Sequence, residues 1–246
     1  MSESAAPETS ARRLTLAWGV HLFTASGAVV GALALLAAAS GQLSRAALLM
    51  LLALFIDSVD GTLARKARVA QVLPGFDGRR LDDIVDYLNY VIVPAVFMVW
   101  AGSLLHWSFA ALPILASAYG FSQENAKTED SFFTGWPSYW NVVAIYLWQL
   151  ELSPVAGTLW VAFFAAAIFV PIRYIYPSRL PVLRRTSSLL GLVWGAAMIA
   201  IILFPETADR LWLVSISLAY PVYYVAVSFW LDLRKRQEQG HGQGAS

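Results

Sequence analysis

One apolar run of this sequence ends in LFIDSVDGTLAR, residues 54–65, and the next begins with GRRLDDIVD, residues 78–86. An aspartate inside an apolar helix costs about 2.5 to 3.5 kcal/mol to insert into a membrane, so a cluster of aspartates there indicates a functional site. Side chains three or four residues apart share one face of a helix. One face of the first stretch therefore carries Asp57, Asp60, Gly61 and Ala64, and one face of the second carries Gly78, Asp82 and Asp86.

The composition favours a membrane protein. The chain has 246 residues, of which 58% are hydrophobic and 13% are charged, and this is too apolar for an ordinary soluble domain. Runs of about 17 to 25 apolar residues can cross a bilayer as helices. The sequence predicts an all-α, polytopic bundle of about eight transmembrane helices at 14–40, 45–66, 82–101, 105–123, 138–151, 154–176, 187–204 and 211–231. Because the fifth run is short, seven crossings with one re-entrant segment are the alternative.

The basic residues predict the orientation of this bundle. With eight crossings, every Lys and Arg except Arg45 and Arg210 falls on the same side of the membrane. Lys and Arg accumulate in cytoplasmic loops. We therefore expect both termini, and both aspartate stretches, at the cytoplasmic face.

Packing the two aspartate stretches antiparallel would bring four carboxylates together. Such a group repels strongly unless cations neutralise it. Ligation by oxygen alone favours magnesium, manganese or calcium over zinc, and the sequence has no cysteine. Phosphoryl transfer with two metals is the usual chemistry of such sites. A glycine and an alanine below the carboxylates would let a polyphosphate approach the backbone, and Arg65 could bind a phosphate.

The aspartates have two other interpretations. They could pair with Arg65, Arg79 and Arg80 at a wetted helix end and only set the topology, or they could line the pathway of a transporter or channel. The transport interpretation does not explain the glycines or Arg65. A net charge of +1 gives no sign of nucleic-acid binding.

At these residues the sequence resembles the CDP-alcohol phosphotransferase family, whose signature is Asp-x2-Asp-Gly-x2-Ala-Arg, a spacer, and Gly-x3-Asp-x3-Asp. The match is complete at Asp57, Asp60, Gly61, Ala64, Arg65, Gly78, Asp82 and Asp86. The resemblance implies that the four aspartates hold two divalent cations, Mn²⁺ or Mg²⁺, and that Asp86 is the catalytic base. It also implies that the CDP-lipid contacts the two glycines, Arg65 and neighbouring Ala64.

The 12 residues from Lys66 to Asp77 form a longer spacer than most of the family has. This spacer, and the segment 121–141, resemble bacterial phosphatidylcholine synthases, which implies transfer of a phosphatidyl group from CDP-diacylglycerol to choline with release of CMP. The alternative within the family is a transferase for serine or another alcohol. In this segment Lys127 is the candidate for a phosphate contact, or it pairs with Glu124 or Asp130.

Choline carries a fixed positive charge, so aromatic faces and a carboxylate should recognise it. The candidates are Tyr119, Glu124, Trp136, Tyr139 and Tyr174. Aromatic residues also gather at membrane interfaces without binding a ligand. These residues therefore remain open to both interpretations.

We expect one integral-membrane domain over residues 1–236 and a disordered tail over 237–246. The expected location is the bacterial inner membrane, with several crossings and the active site facing the cytoplasm. The expected partners are CDP-diacylglycerol, choline and membrane lipids, with no nucleic acid. The resemblance implies a homodimer, and the small residues from Gly27 to Gly31 could pack helices closely.

Overall fold

The computed structural model of the chain describes residues 11–123, 132–175, 183–206 and 210–243. Most of the described residues are helical, which confirms the all-α prediction. The elements in chain order are α1 (Ala11–Ala39), α2 (Leu43–Ala67), α3 (Val69–Val72), α4 (Gly78–Tyr87), a π-helical segment (Leu88–Ile92), α5 (Val93–Trp100), a 3₁₀ turn (Trp107–Ala110), α6 (Ala111–Phe121), β1 (Phe132–Thr134), α7 (Trp140–Gln149), α8 (Pro154–Ile168), β2 (Arg173–Ile175), α9 (Arg184–Leu203), α10 (Arg210–Ser217) and α11 (Ala219–Gln243).

Each of the eight predicted apolar runs contains a helix, but they differ in length. Within the described residues, five helices are long and apolar enough to cross a membrane: Ala11–Ala39, Leu43–Ala67, Gly78–Trp100, Arg185–Leu203 and Leu211–Arg234. Two shorter apolar helices are Trp107–Phe121 and Pro154–Ile168. The helix in the fifth predicted run, α7, has 10 residues. The structure therefore supports a membrane protein with at least five candidate spans.

The sixth predicted run, 154–176, is wrong as a single helix. Helix α8 ends at Ile168, and β2 pairs with β1 as a two-stranded antiparallel sheet in which Tyr174 lies opposite Phe133. Pro171 explains the break, because proline has no N–H to donate and disfavours helical backbone in the residue before it. The sequence analysis did not predict this sheet.

The end of the chain also differs from the prediction. Residues 237–243, expected to be disordered, continue helix α11 as far as Gln243. The residues that lead into this part are mostly Arg, Lys, Gln and Glu, which are good helix formers. The glycines at 240 and 242 do not end the helix.

The buried face of α1 consists mainly of small side chains, and this allows its neighbours to come close. Its buried residues repeat every three or four positions: Ala17, His21, Thr24, Gly27, Gly31, Ala34, Ala37 and Ala38. A Cβ atom added at Gly27 would lie 2.9 Å from Cγ1 of Val85, and one added at Gly31 would overlap the Asn89 side chain. The small-residue run proposed for dimer packing is therefore used inside the chain.

Helix α7 is enclosed by the rest of the bundle. All but two of its 10 side chains are buried. The Trp140 indole N–H donates to Oγ of Ser117 (2.8 Å), and the Tyr146 hydroxyl accepts a hydrogen bond from the Trp194 indole (2.9 Å). A helix that is apolar on all sides is expected to be buried. The fifth predicted run therefore corresponds to a short helix enclosed by its neighbours.

The π-helical segment interrupts the third long helix just after its acidic part. Its defining hydrogen bond runs from the Val93 N–H to the Leu88 carbonyl, five residues earlier. Pro94 follows at once and has no N–H, so it cannot donate the α-helical hydrogen bond to the Tyr90 carbonyl, four residues earlier. The helix continues beyond it as α5. The Asn89 amide ties the segment to α1 and α4 by donating to the carbonyls of Gly27 (3.0 Å) and Val85 (3.1 Å).

Candidate active site

Three of the four predicted aspartate ligands meet between α2 and α4. Asp57, Asp82 and Asp86 each offer a carboxylate oxygen, and these three oxygens lie within 4.8 Å of one another. Ligand oxygens lie about 2.0 to 2.6 Å from Mg²⁺ or Ca²⁺, so two oxygens on one ion are at most about 5 Å apart. The spacing and the all-oxygen donor set therefore fit one hard divalent cation.

The fourth aspartate, Asp60, lies beside this group but faces α1. Its side chain is only 5% exposed, and its Oδ2 accepts a hydrogen bond from the Thr24 hydroxyl at 2.9 Å. It lines the same cavity as the other three carboxylates. The structure thus assembles the four predicted residues at one place, with Asp60 held from α1.

A small cavity separates α1, α2 and α4 at this point. Its volume is about 10 Å³, which is close to the space that one water molecule requires. The residues that line it are Thr24, Gly27, Ala53, Ile56, Asp57, Asp60, Asp82, Val85, Asp86, Asn89 and Tyr90. The acidic groups therefore surround a space of about the size of an ion.

Tyr90 closes the inner side of the carboxylate group. Its hydroxyl donates to Oδ2 of Asp57 at 2.6 Å, and its side chain is 6% exposed. Hydrogen bonds to an ionised acceptor are short and strong compared with neutral ones. This contact fixes the orientation of one of the candidate metal ligands.

Two of the basic residues near the aspartates make contacts within their own helix ends. The Arg65 guanidinium donates to the Thr62 hydroxyl (3.0 Å), and the Arg80 side chain lies 3.8 Å from Asp77. Asp77 also caps α4 by accepting the Arg80 backbone N–H at 3.0 Å. The positive charge of Arg65 acts on the Asp60 carboxylate as well.

The two glycines of the aspartate stretches have different surroundings. A Cβ atom at Gly61 would meet only the flexible end of Arg65, at 3.3 Å, whereas one at Gly78 would lie 2.6 Å from Cε1 of His21. Arg65 is exposed, and Ala64 is partly so. The surface at Gly61 is therefore open to a ligand, while Gly78 is covered by a side chain of α1.

His21 is itself unusual. It is 7% exposed, its ring packs against Phe76 with centroids 4.4 Å apart, and its Nε2 has no hydrogen-bond partner among the described residues. Trp18 completes the aromatic group over the start of α4. The glycine at position 78 lets this ring pack directly on the backbone.

Two of the predicted choline-binding residues belong to a series of tyrosine rings in contact with one another. The series begins at Tyr90, which contacts Asp57. The ring of Tyr139 lies 5.8 Å from that of Tyr90 and 5.6 Å from that of Tyr224, and Tyr224 stacks on Tyr174 at 6.4 Å. We call these four residues the tyrosine row. Burial raises the pKa of the Tyr174 hydroxyl, which therefore stays neutral at physiological pH.

The other aromatic candidates lie outside the tyrosine row. Tyr119 is 48% exposed and packs on Phe169, and Trp136 packs in the core against Trp140 and Phe164. Glu124 and Lys127 lie outside the described residues. Of the four choline candidates that the structure describes, Tyr139 and Tyr174 lie in this row.

Thr24, Tyr90 and Tyr224 are not among the site residues predicted from the sequence. Tyr90 had a signal, because it continues the four-residue spacing of Gly78, Asp82 and Asp86. Thr24 and Tyr224 had none, since they reach the site only through the packing of α1 and α11 against distant parts of the chain.

Comparisons with known proteins agree with this geometry. The profile of the CDP-alcohol phosphatidyltransferase family matches residues 17–172. The chain is 41% identical over 226 residues to a phosphatidylcholine synthase of Legionella pneumophila, covering 87% of this chain and 88% of the relative. It is 35% identical to a phosphatidylcholine synthase of Pseudomonas aeruginosa (89% and 93% covered) and 34% identical to one of Rhizobium meliloti (88% and 91% covered).

The chain therefore belongs to the CDP-alcohol phosphatidyltransferase family. This confirms the predicted family and the prediction of a phosphatidyltransferase enzyme of phospholipid biosynthesis. Family membership thus supports the enzyme interpretation of the aspartates.

Proposed function

We propose that this phosphatidyltransferase transfers the phosphatidyl group of CDP-diacylglycerol to choline and releases CMP. The observation that carries the proposal is the meeting of the Asp57, Asp82 and Asp86 oxygens within 4.8 Å at the joined ends of two apolar helices. The choice of choline is supported by the relatives, which are phosphatidylcholine synthases matched over most of their length. The long spacer before Gly78 supports the same choice.

The residues of the site suit two divalent cations, Mn²⁺ or Mg²⁺. The three-oxygen group would hold one of them, and Asp60 with the neighbouring carboxylates would complete the other. A bound divalent cation would draw negative charge from the phosphate under attack. The donor set contains only oxygen, which suits these ions.

In the proposed reaction, Asp86 accepts the proton of the choline hydroxyl. The choline oxygen then forms a bond to the phosphorus that carries diacylglycerol, and the bond from that phosphorus to the bridging oxygen breaks. The electron pair leaves with CMP, and the proton passes from Asp86 to solvent. General-base assistance of this kind contributes about 100- to 10,000-fold to the rate.

The open surface beside Gly61 is the proposed place for the CDP portion of the lipid. No Cβ stands there, and the exposed Arg65 guanidinium is within reach of a phosphate. Ala64 and Lys127 are proposed to border the same ligand, and Gly78 to lie near it beneath His21. Choline is proposed to bind next to the tyrosine row at Tyr139 and Tyr174, with Glu124, Tyr119 and Trp136 as further candidates.

We further propose eight membrane crossings with both termini in the cytoplasm of a bacterium and the chain in its inner membrane. The distribution of Lys and Arg supports this orientation. The ends of α2 and α4 that carry the aspartates are joined by a short connection, so they lie at the same membrane face. We also propose that residues 1–236 form one domain and that the protein is a homodimer.

The test supplies purified protein with CDP-diacylglycerol, Mn²⁺ or Mg²⁺, and labelled choline, serine, inositol or glycerol 3-phosphate. We expect CMP and labelled lipid with choline and little product with the other three. If labelled lipid forms from serine but not from choline, then serine is the acceptor and the choice of choline is wrong. A preparation that releases CMP with none of the acceptors would contradict the proposed reaction.

A further inference from the structure

Tyr90 makes a contact that the proposed reaction does not use. Its hydroxyl donates to Oδ2 of Asp57 at 2.6 Å, and Asp57 belongs to the three-oxygen group with Asp82 and Asp86. Groups that hydrogen-bond to a metal ligand orient that ligand, and their loss typically costs about 10- to 100-fold in metal affinity. The contact therefore concerns cation binding rather than substrate binding.

The backbone of the π-helical segment fixes the position of the Tyr90 phenol. Tyr90 lies in the π-helical segment, which Asn89 ties to α1 through the Gly27 carbonyl at 3.0 Å and to α4 through the Val85 carbonyl at 3.1 Å. The segment can therefore turn little relative to the two helices that line the cavity. Turns of π-helix often occur at functional sites.

The ring of Tyr90 is also held from its other side. It is buried to 6% exposure, and Tyr139 of the tyrosine row lies 5.8 Å away, measured between ring centroids. A phenol fixed at its backbone and along its ring presents its O–H in one direction. The Asp57 carboxylate that accepts this O–H is thereby prevented from rotating freely.

We propose that Tyr90 is a positioning residue that holds Asp57 in the orientation that binds a divalent cation. This inference rests on the proposed cation site. Tyr90 acts through Asp57 and does not touch the reacting atoms. Its contact with Tyr139 also makes it the link between the carboxylates and the aromatic side where choline is proposed to bind.

The experiment compares Tyr90→Phe with Tyr87→Phe. Tyr87 stands three residues earlier on the same long helix, and its hydroxyl donates to the Ile114 carbonyl at 2.9 Å, away from the carboxylates. Both variants remove one hydrogen-bonded hydroxyl and keep the ring, although Tyr87 is half-buried and Tyr90 is buried. The measurement is Mn²⁺ binding to purified protein without lipid or choline, read from the electron paramagnetic resonance signal of free Mn²⁺.

We expect Tyr90→Phe to weaken Mn²⁺ binding about 10-fold and Tyr87→Phe to leave it unchanged. Weakening of less than about threefold in Tyr90→Phe, or equal weakening in both variants, would overturn the proposal, since a positioning role predicts a larger and specific loss. Thermal unfolding of each variant shows whether a general loss of structure accounts for the result.

A double variant tests the route through Asp57. In an Asp57→Asn background, Tyr90→Phe should weaken Mn²⁺ binding no further, because its partner no longer carries the charge. An additional loss as large as that in the wild-type background would show that Tyr90 does not act through Asp57. Because these measurements need no turnover, the proposed reaction could fail while this inference holds, and the reverse could also occur.

Discussion

The two glycines next to the aspartates differ in their surroundings, because one is open and the other is covered by a side chain. Gly61 faces open space bordered by the flexible end of Arg65, whereas Gly78 lies beneath the His21 ring, with 2.6 Å between Cε1 and the position of an added Cβ. Helix α1 makes the difference, because it covers Gly78 and Asp60 and leaves Gly61 uncovered. The site therefore has a covered side formed by α1 and an open side beside Gly61.

The comparison shows that one sequence signature can contain glycines required for different reasons. A glycine is needed where a ligand must approach the backbone, and equally where a side chain of the same protein must do so. Gly61 fits the first reason and Gly78 the second. Substitutions on the open side, on the covered side and among the carboxylates should therefore have different effects.

The largest effect is expected at Asp86, which belongs to the three-oxygen group. Asp86→Asn should reduce turnover about 1,000-fold, because it removes the proposed base. Binding of CDP-diacylglycerol should be largely kept. The measurement is CMP release alongside equilibrium binding of the lipid, with Asp83→Asn, three residues away and outside the three-oxygen group, as the control. A loss of lipid binding comparable to the loss of turnover would reassign Asp86 to a purely structural role at the metal.

On the open side, Gly61→Ala should leave the fold intact and impair the enzyme. Alanine in a helix is favoured over glycine by about 1 kcal/mol, so thermal stability should not fall. The added methyl would occupy the proposed ligand surface, and we expect KM for CDP-diacylglycerol to rise about 10-fold, equal to about 1.4 kcal/mol. An unchanged KM would show that no ligand approaches the backbone at Gly61.

On the covered side, Gly78→Ala should act on stability. The new Cβ collides with the buried His21 ring, and overpacking of this kind costs about 1 to 3 kcal/mol. Thermal unfolding in detergent measures the loss. The double variant His21→Ala, Gly78→Ala should lose less stability than the two single variants added together. Strictly additive losses would mean that the ring does not restrict this glycine.

The smallest effect is expected at Thr24, which holds Asp60 from the covered side. Thr24→Val keeps the shape and removes the hydroxyl, so we expect a loss of about 1 kcal/mol in stability. Thr24→Ser keeps the donor and should retain most of this energy. If the valine and serine variants unfold at the same temperature, the hydroxyl contact with Asp60 contributes nothing measurable.

Much of the architecture follows from local patterns that a sequence displays. The apolar runs predicted the helices. The three-residue spacing of Asp57 and Asp60 and the four-residue spacing of Asp82 and Asp86 predicted that the two helices would present carboxylates to each other. Such spacings depend only on helix geometry. The location of the site could therefore be predicted from residues 57–86.

Features that depend on tertiary packing could not be predicted in this way. The contact of Thr24 with Asp60 joins residues 36 positions apart, and the contact of Tyr90 with Asp57 joins residues 33 apart. The β1–β2 sheet likewise pairs Phe133 with Tyr174 across α7 and α8. Nothing in the local sequence fixes these distances before the helices pack.

The π-helical segment determines where along this helix the chain length can change. Each residue of an α-helix advances the chain by about 100° around the axis. A residue gained or lost in the regular helix on either side of the segment would therefore rotate the acidic face relative to buried Phe97 and Met98. Within the segment, each hydrogen bond spans one residue more than in an α-helix, so the loss of one residue there returns the helix to the α pattern and keeps both flanks in register.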